Sequence, residues 1–179
     1  VYAALCRQLD KPLCIVTPGE AEATRFAADL NTLGIPAAVF PARDYVLRPI
    51  EGTAREYEYR RLAVLGELVG GRLRAVAVPA EALTQFTTPK EDFCANTRTL
   101  HAGDTLLRDD LLAALFGAGY TRRAQVDGPG QFSVRGDIVD IYAPDMHQPA
   151  RVEYWDDEID SLASFDPVSY THLTLPTNS

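Results

Sequence analysis

The sequence predicts an α/β fold in two parts: a parallel α/β layer, then a smaller α+β domain with an antiparallel sheet. Two observations carry that expectation. Through about residue 78, short apolar runs of strand length alternate with segments whose apolar residues recur at helical spacing, as in strands joined by helical crossovers. After about Asn96 the pattern changes to one helix and several short strands bounded by turn residues.

In chain order, residues 2–9 read helical, and Leu13-Cys14-Ile15-Val16-Thr17, between Pro12 and Pro18, has the length and composition of a buried parallel strand. Over residues 20–33, Ala23, Phe26, Ala27, Leu30 and Leu33 repeat at helical spacing, and Gly34 stops the helix. Residues 37–40 form a second strand, residues 41–52 a loop rich in Pro and Arg, residues 53–69 a long helix ended by Gly70-Gly71, and residues 74–78 a third strand. Composition shifts near Thr87-Thr88-Pro89, and the domains are placed at residues 1–96 and 97–167. In the second, a short helix over residues 109–116 stops at Gly117 and Gly119. Strands are expected over residues 132–135, 137–142, 150–155 and 158–165, with Gly136, Pro144-Asp145 and Asp156-Asp157 as turns.

Composition narrows the function classes. The 179 residues carry 17 basic and 25 acidic side chains, a formal charge of −8 that lies almost wholly beyond Asn96. Affinity for nucleic acid comes mainly from Lys and Arg neutralising phosphates, so an acidic chain is a poor candidate for gripping DNA or RNA unaided. A hydrophobic share of 46%, without any apolar run of the ~18 residues a span requires, argues for a packed core and against a membrane partner. The cysteines Cys6, Cys14 and Cys94 lack CxxC spacing and are expected to be reduced in a cytosolic protein. His101, His147 and His172 lie at no helical spacing from one another or from a cysteine, so no zinc site and no nucleophile–base arrangement is expected. No export signal is visible in the first residues, and a cytoplasmic location is expected.

At Gly130-Gln-Phe-Ser-Val-Arg-Gly-Asp-Ile-Val-Asp-Ile-Tyr142 and Ala150-Arg-Val-Glu-Tyr-Trp-Asp-Asp-Glu-Ile-Asp-Ser-Leu162, closing with Ser164-Phe-Asp-Pro167, the sequence resembles a known repair module. It is similar to the homology region shared by bacterial transcription-repair coupling factors (Mfd) and the excision-nuclease helicase subunit UvrB, from about Val1 to Pro167. UvrB inserts a long Tyr-rich β-hairpin before the long helix, whereas this chain has only residues 41–52 there, followed by Arg55-Glu56-Tyr57-Glu58-Tyr59-Arg60-Arg61-Leu62. That favours the coupling factor. The resemblance implies an amino-terminal fragment: a degenerate helicase-like α/β domain without a phosphate loop, then a domain that docks UvrA. It further implies that RNA polymerase and DNA are contacted through other domains, and that ATP and Mg belong to motor domains, with no cofactor in this fragment. Residues 168–179, containing Ser169-Tyr-Thr-His-Leu-Thr-Leu-Pro-Thr177, depart from the family and are expected to be foreign and loosely held. A UvrB-type fragment and a stand-alone nucleotide-binding domain remain as alternatives.

Several candidate sites follow. Thr17-Pro18-Gly19-Glu20 sits where a parallel layer binds nucleotides, but it lacks GxxxxGK[ST] spacing, and Glu20 and Glu22 are explained as first-turn acids of a helix. Catalysis by this fragment is therefore not expected. In residues 150–155, alternation puts Val152 and Tyr154 on one face and Arg151, Glu153 and Trp155 on the other, with one face core and the other solvent. Arg135 faces away from Phe132 and Val134 on the neighbouring strand. Arg and Trp are the residue types that dominate binding hot spots. The plainer account pairs the two arginines with nearby carboxylates and lets Trp155 cover the sheet edge; from the residues alone it is preferred. The resemblance reverses that preference, because the two Arg positions and the aromatic form the UvrA-binding surface in coupling factors and map onto Arg135, Arg151 and Trp155. The aromatic is commonly Phe in the family, so Trp155 is a departure. Asp156-Asp157-Glu158 with Asp160 reads as a solvated turn, not a metal site. A helix with Arg55, Arg60 and Arg61 could touch DNA or polymerase, but Glu56 and Glu58 interleave with them and argue against it.

Overall fold

The computed structural model describes residues 1–43, 53–167 and 172–173, with side chains undescribed at 53–55 and 172–173. The chain divides into two compact units, Val1–Pro89 and Lys90–Ser179.

In the first unit, strands β1 (Leu13–Thr17), β2 (Ala37–Val39) and β3 (Ala75–Pro79) form a parallel sheet in the order β1-β3-β2. Every residue of the central β3 is buried, as a parallel strand covered on both faces should be. Its residues differ by face. Ala77 meets Ala23 and Ala27 of helix α2 (Glu20–Thr32), small against small, so that helix and sheet approach closely; Ala75 packs with Leu30 and Ile35, and with Ile15 and Cys6 of α1 (Tyr2–Gln8). Val76 and Val78 face Val64 of α3 (Thr53–Val69) together with Phe40, Ala42 and Leu73. Helix α2 ends as the sequence indicates: Gly34 takes φ +70, its N–H donates to Asn31 O, and Ile35 N–H donates to Leu30 O at 3.0 Å, while Ile35 and Leu30 touch in the core. The short α4 (Ala80–Leu83) follows β3. The loop expected over residues 41–52 lies beyond the described residues from 44 onward.

The second unit opens with α5 (Lys90–Ala95) and α6 (Arg108–Gly117). Its six-stranded sheet runs in sequence order, β4 (Thr121–Arg122), β5 (Gln131–Arg135), β6 (Ile138–Tyr142), β7 (Ala150–Trp155), β8 (Glu158–Phe165) and β9 (His172–Leu173), antiparallel except for the β4–β5 pair. Helix α6 covers one face: Leu111 and Leu115 pack on Phe132, Val139, Ile141, Val152, Tyr154 and Ile159, and Phe116 meets the Phe132 ring edge-on at 5.0 Å. Each fully buried Phe or Ile contributes about 1.5–3 kcal/mol of transfer free energy. Of the segment expected to be foreign, His172–Leu173 pairs with β8 at Phe165 and Ser164, and the remainder lies outside the described residues.

Candidate docking site

Two-residue turns close both main hairpins at one end of the sheet. Gly136, with φ +59, and Asp137 join Arg135 to its cross-strand partner Ile138; Asp156, with φ 58, and Asp157 join Trp155 to Glu158. Both turns need a residue that tolerates positive φ in first place, which Gly and Asp provide. Tyr154 N–H donates to Asp137 O at 2.8 Å and ties the two tips together.

Register then decides which side chains share the face opposite α6. Ser133, Asp140, Arg151 and Ala163 stand directly opposite one another across β5, β6, β7 and β8, and Arg135, Ile138, Glu153 and Ser161 form the next row toward the tips. Trp155 stands one step further on, beside Glu158. Two-residue steps of about 6.8 Å and strand spacings of about 4.8 Å put Arg135 and Trp155 roughly 12 Å apart.

This face is not uniformly solvated, which corrects the expectation of one core face and one solvent face. Its inner row is buried: Arg151 is 9% exposed, and Asp140, Ser133 and Phe165 are essentially sealed. Arg151 lies there because Phe165 of β8 comes under its guanidinium, 4.9 Å from ring centroid to Cζ. The outer end is open. Trp155 is 79% exposed, and the Arg135 side chain is 47% exposed.

One carboxylate organises both arginines. Arg151 grips Asp140 in bidentate fashion, Nε to Oδ1 at 2.7 Å and Nη2 to Oδ2 at 3.0 Å. Arg135 Nη2 donates to the same Oδ2 at 3.0 Å, and Ser133 Oγ lies 3.4 Å from it. Burying a lone charge costs several kcal/mol per ion, roughly, and a forked guanidinium on a carboxylate is the geometry that offsets it. The two arginines thus meet through Asp140. Sequence reasoning passed over this residue, although the signal was there: an Asp between Val139 and Ile141, inside a strand, at a position that alternation puts on the arginine face.

The other candidates fall out plainly. Asp156, Asp157, Glu158 and Asp160 are exposed at the β7–β8 tip, and no group of three or more potential ligands for a metal occurs among the described residues. Thr17 turns its hydroxyl to Gly19 O at 2.8 Å, and Gly19 caps α2 with Glu20 and Glu22 in the first turn. Arg60 pairs with Glu56 at 2.7 Å on the surface, whereas Arg61 is buried. The side chain of Arg55 lies outside the described residues. On the α6 face of the tips, Tyr154 Oη and Arg108 Nε are buried without a hydrogen-bond partner among the described residues. Burial raises the Tyr154 phenol above its ordinary value, and the Arg108 charge pulls it partly back. No described helix is long and apolar enough to cross a membrane.

Residues 99–176 match the UvrB interaction domain family. Over 92% of its length the chain is 30% identical to a transcription-repair-coupling factor of Bacillus subtilis (strain 168), and over 92% it is 36% identical to that of Mycobacterium tuberculosis (strain CDC 1551 / Oshkosh). A third, from Staphylococcus aureus (strain USA300), is 29% identical over 89% of the chain. In each case the alignment takes in 14% of the relative, so the chain spans about a seventh of the length of the proteins it matches. The chain belongs to the transcription-repair-coupling factor family, as a segment that carries the UvrB interaction domain.

Proposed function

We propose that the second unit is the surface through which the whole protein, a bacterial cytoplasmic coupling factor, recruits UvrA to RNA polymerase stalled at DNA lesions. The chain itself recruits and does not catalyse; ATP, Mg, DNA and polymerase are handled elsewhere in the parent, of which this is the amino-terminal part. The observation that carries the reading is the exposed tip of the sheet, where Trp155 and Arg135 stand on one face of the unit that matches the UvrB interaction domain. Trp and Arg are among the residue types most enriched at binding hot spots. Arg135 supplies a charge-assisted hydrogen bond to a carboxylate or carbonyl of the partner, and Trp155 the apolar anchor. Arg151, being buried, acts from behind them.

Calorimetric titration of the full chain with purified UvrA tests this. Micromolar or tighter binding is expected, weakened at least tenfold by Trp155→Ala and by Arg135→Ala. Undiminished binding by both variants would overturn the reading. Arg151→Ala is a poor first choice, because it strands the sealed Asp140 carboxylate and confounds folding with docking.

A further inference from the structure

We infer that Asp140 is a positioning residue for docking: it fixes the Arg135 fork in its binding orientation, with Arg151 as the brace behind it. The inference rests on the docking reading above and goes one layer beneath it. An arginine on an open strand face samples many rotamers, and one held before binding loses less freedom on docking. Here the hold is a carboxylate with no exposed surface, itself clamped by the two bonds from Arg151, whose guanidinium rests on the buried Phe165 ring. The chain of contacts runs from the core outward: Phe165, Arg151, Asp140, Arg135, with only the last half exposed. Arg151, Asp140 and Arg135 form one charged cluster, and Glu153 stands in the row of Arg135.

Positioning and simple charge attraction make opposite predictions for Asp140→Asn. That change keeps the shape of the side chain and raises the positive charge of the cluster. If attraction governs docking, UvrA binds the variant more tightly, through faster association. If Asp140 positions Arg135, binding weakens about tenfold, through faster dissociation, despite the added charge. The two effects separate in stopped-flow or surface-plasmon kinetics with UvrA, using full chain whose amide exchange pattern is native. A positioning role also makes the effects of Asp140→Asn and Arg135→Ala overlap in the double variant, whereas Trp155→Ala adds its full effect to either. Should Asp140→Asn lose the native pattern, Arg135→Lys carries the test: it keeps the charge at a half-exposed site and loses the fork, and a fivefold or greater loss of affinity is expected. Tight binding by the unaltered chain, lost in Trp155→Ala but equal or stronger in Asp140→Asn, or in Arg135→Lys where that variant carries the test, overturns the inference and leaves the docking reading standing. An unaltered chain that does not bind UvrA takes both down.

Discussion

Among the described residues, each unit buries one arginine against an aromatic ring, and the two sit in different surroundings. Arg61 of α3 lies 4.1 Å from the Phe40 centroid and donates to Pro41 O, Phe86 O, Gln85 Oε1 and Thr87 Oγ1. Those are neutral oxygens on the segments flanking the sheet, and Gln85 in turn bonds the backbone of Arg43. Arg61 is a clasp that pins residues 85–87 and Pro41 to the helix. Arg151 instead meets a sealed carboxylate that also holds a second, half-exposed arginine. Arg61 joins neighbouring segments of its own unit, whereas the carboxylate that Arg151 meets passes order on to an exposed side chain. The difference teaches where to look for function in this chain, since a buried charge tied to an exposed one carries order outward to a surface that a partner can reach.

That contrast can be broken by substitution. Asp140→Ala removes the carboxylate from two guanidiniums, one of them buried, and is expected to cost roughly 3–5 kcal/mol. Hydrogen exchange should show the loss in β5 to β8 and leave β1 to β3 unchanged; equal losses in both sheets would mean that the two units are one cooperative structure. Arg61→Ala should cost about 2 kcal/mol, since it takes the donor from Pro41 O, Phe86 O, Gln85 Oε1 and Thr87 Oγ1. The loss should fall in the first unit, with UvrA binding intact. Trp155→Ala should change stability by less than about 0.5 kcal/mol while abolishing most of the binding, since the ring is exposed.

The smallest effect concerns Tyr154. Its raised phenol keeps its proton in the folded protein at a pH where the unfolded chain, near the usual value of about 10, has lost it. The unfolded state then binds fewer protons, so stability present below about pH 10 falls as the pH rises toward the folded value. Tyr154→Phe should flatten that decline in urea midpoints compared between about pH 9 and 11. At neutral pH it should be nearly silent, because the hydroxyl it removes has no hydrogen-bond partner among the described residues.

Much of this was legible in the sequence, and the failures have physical causes. The strands Leu13–Thr17, Ala150–Trp155 and Glu158–Phe165 and the helix Thr53–Val69 run as expected, because apolar periodicity and turn residues bound them. The α/β class holds for the same reason. The helices α4 and α5 and the strand β4 are too short to show a period, and β4 exists only by pairing with β5. No local pattern announces that β3 lies between β1 and β2, since strand order is a tertiary property. At the site, alternation put Arg151, Glu153 and Trp155 on one face and turned Arg135 away from Phe132 and Val134; the register brings Arg135 to that same face, in the row of Glu153. Alternation did not reveal that Phe165, ten residues beyond Trp155, seals the inner end of that face and takes Arg151 out of solvent. Asp140 was hidden by its own strand, where a lone acid among apolar residues draws less notice than an acidic run such as Asp156-Asp157-Glu158.

The central claim is that the hairpin tips of the second unit are the contact surface. Hydrogen exchange of the full chain, alone and with UvrA, reads it directly. The account predicts new protection at residues 135–138 and 153–158 and none in β1 to β3. Protection confined to the first unit, or absent at the tips with UvrA bound, would contradict it.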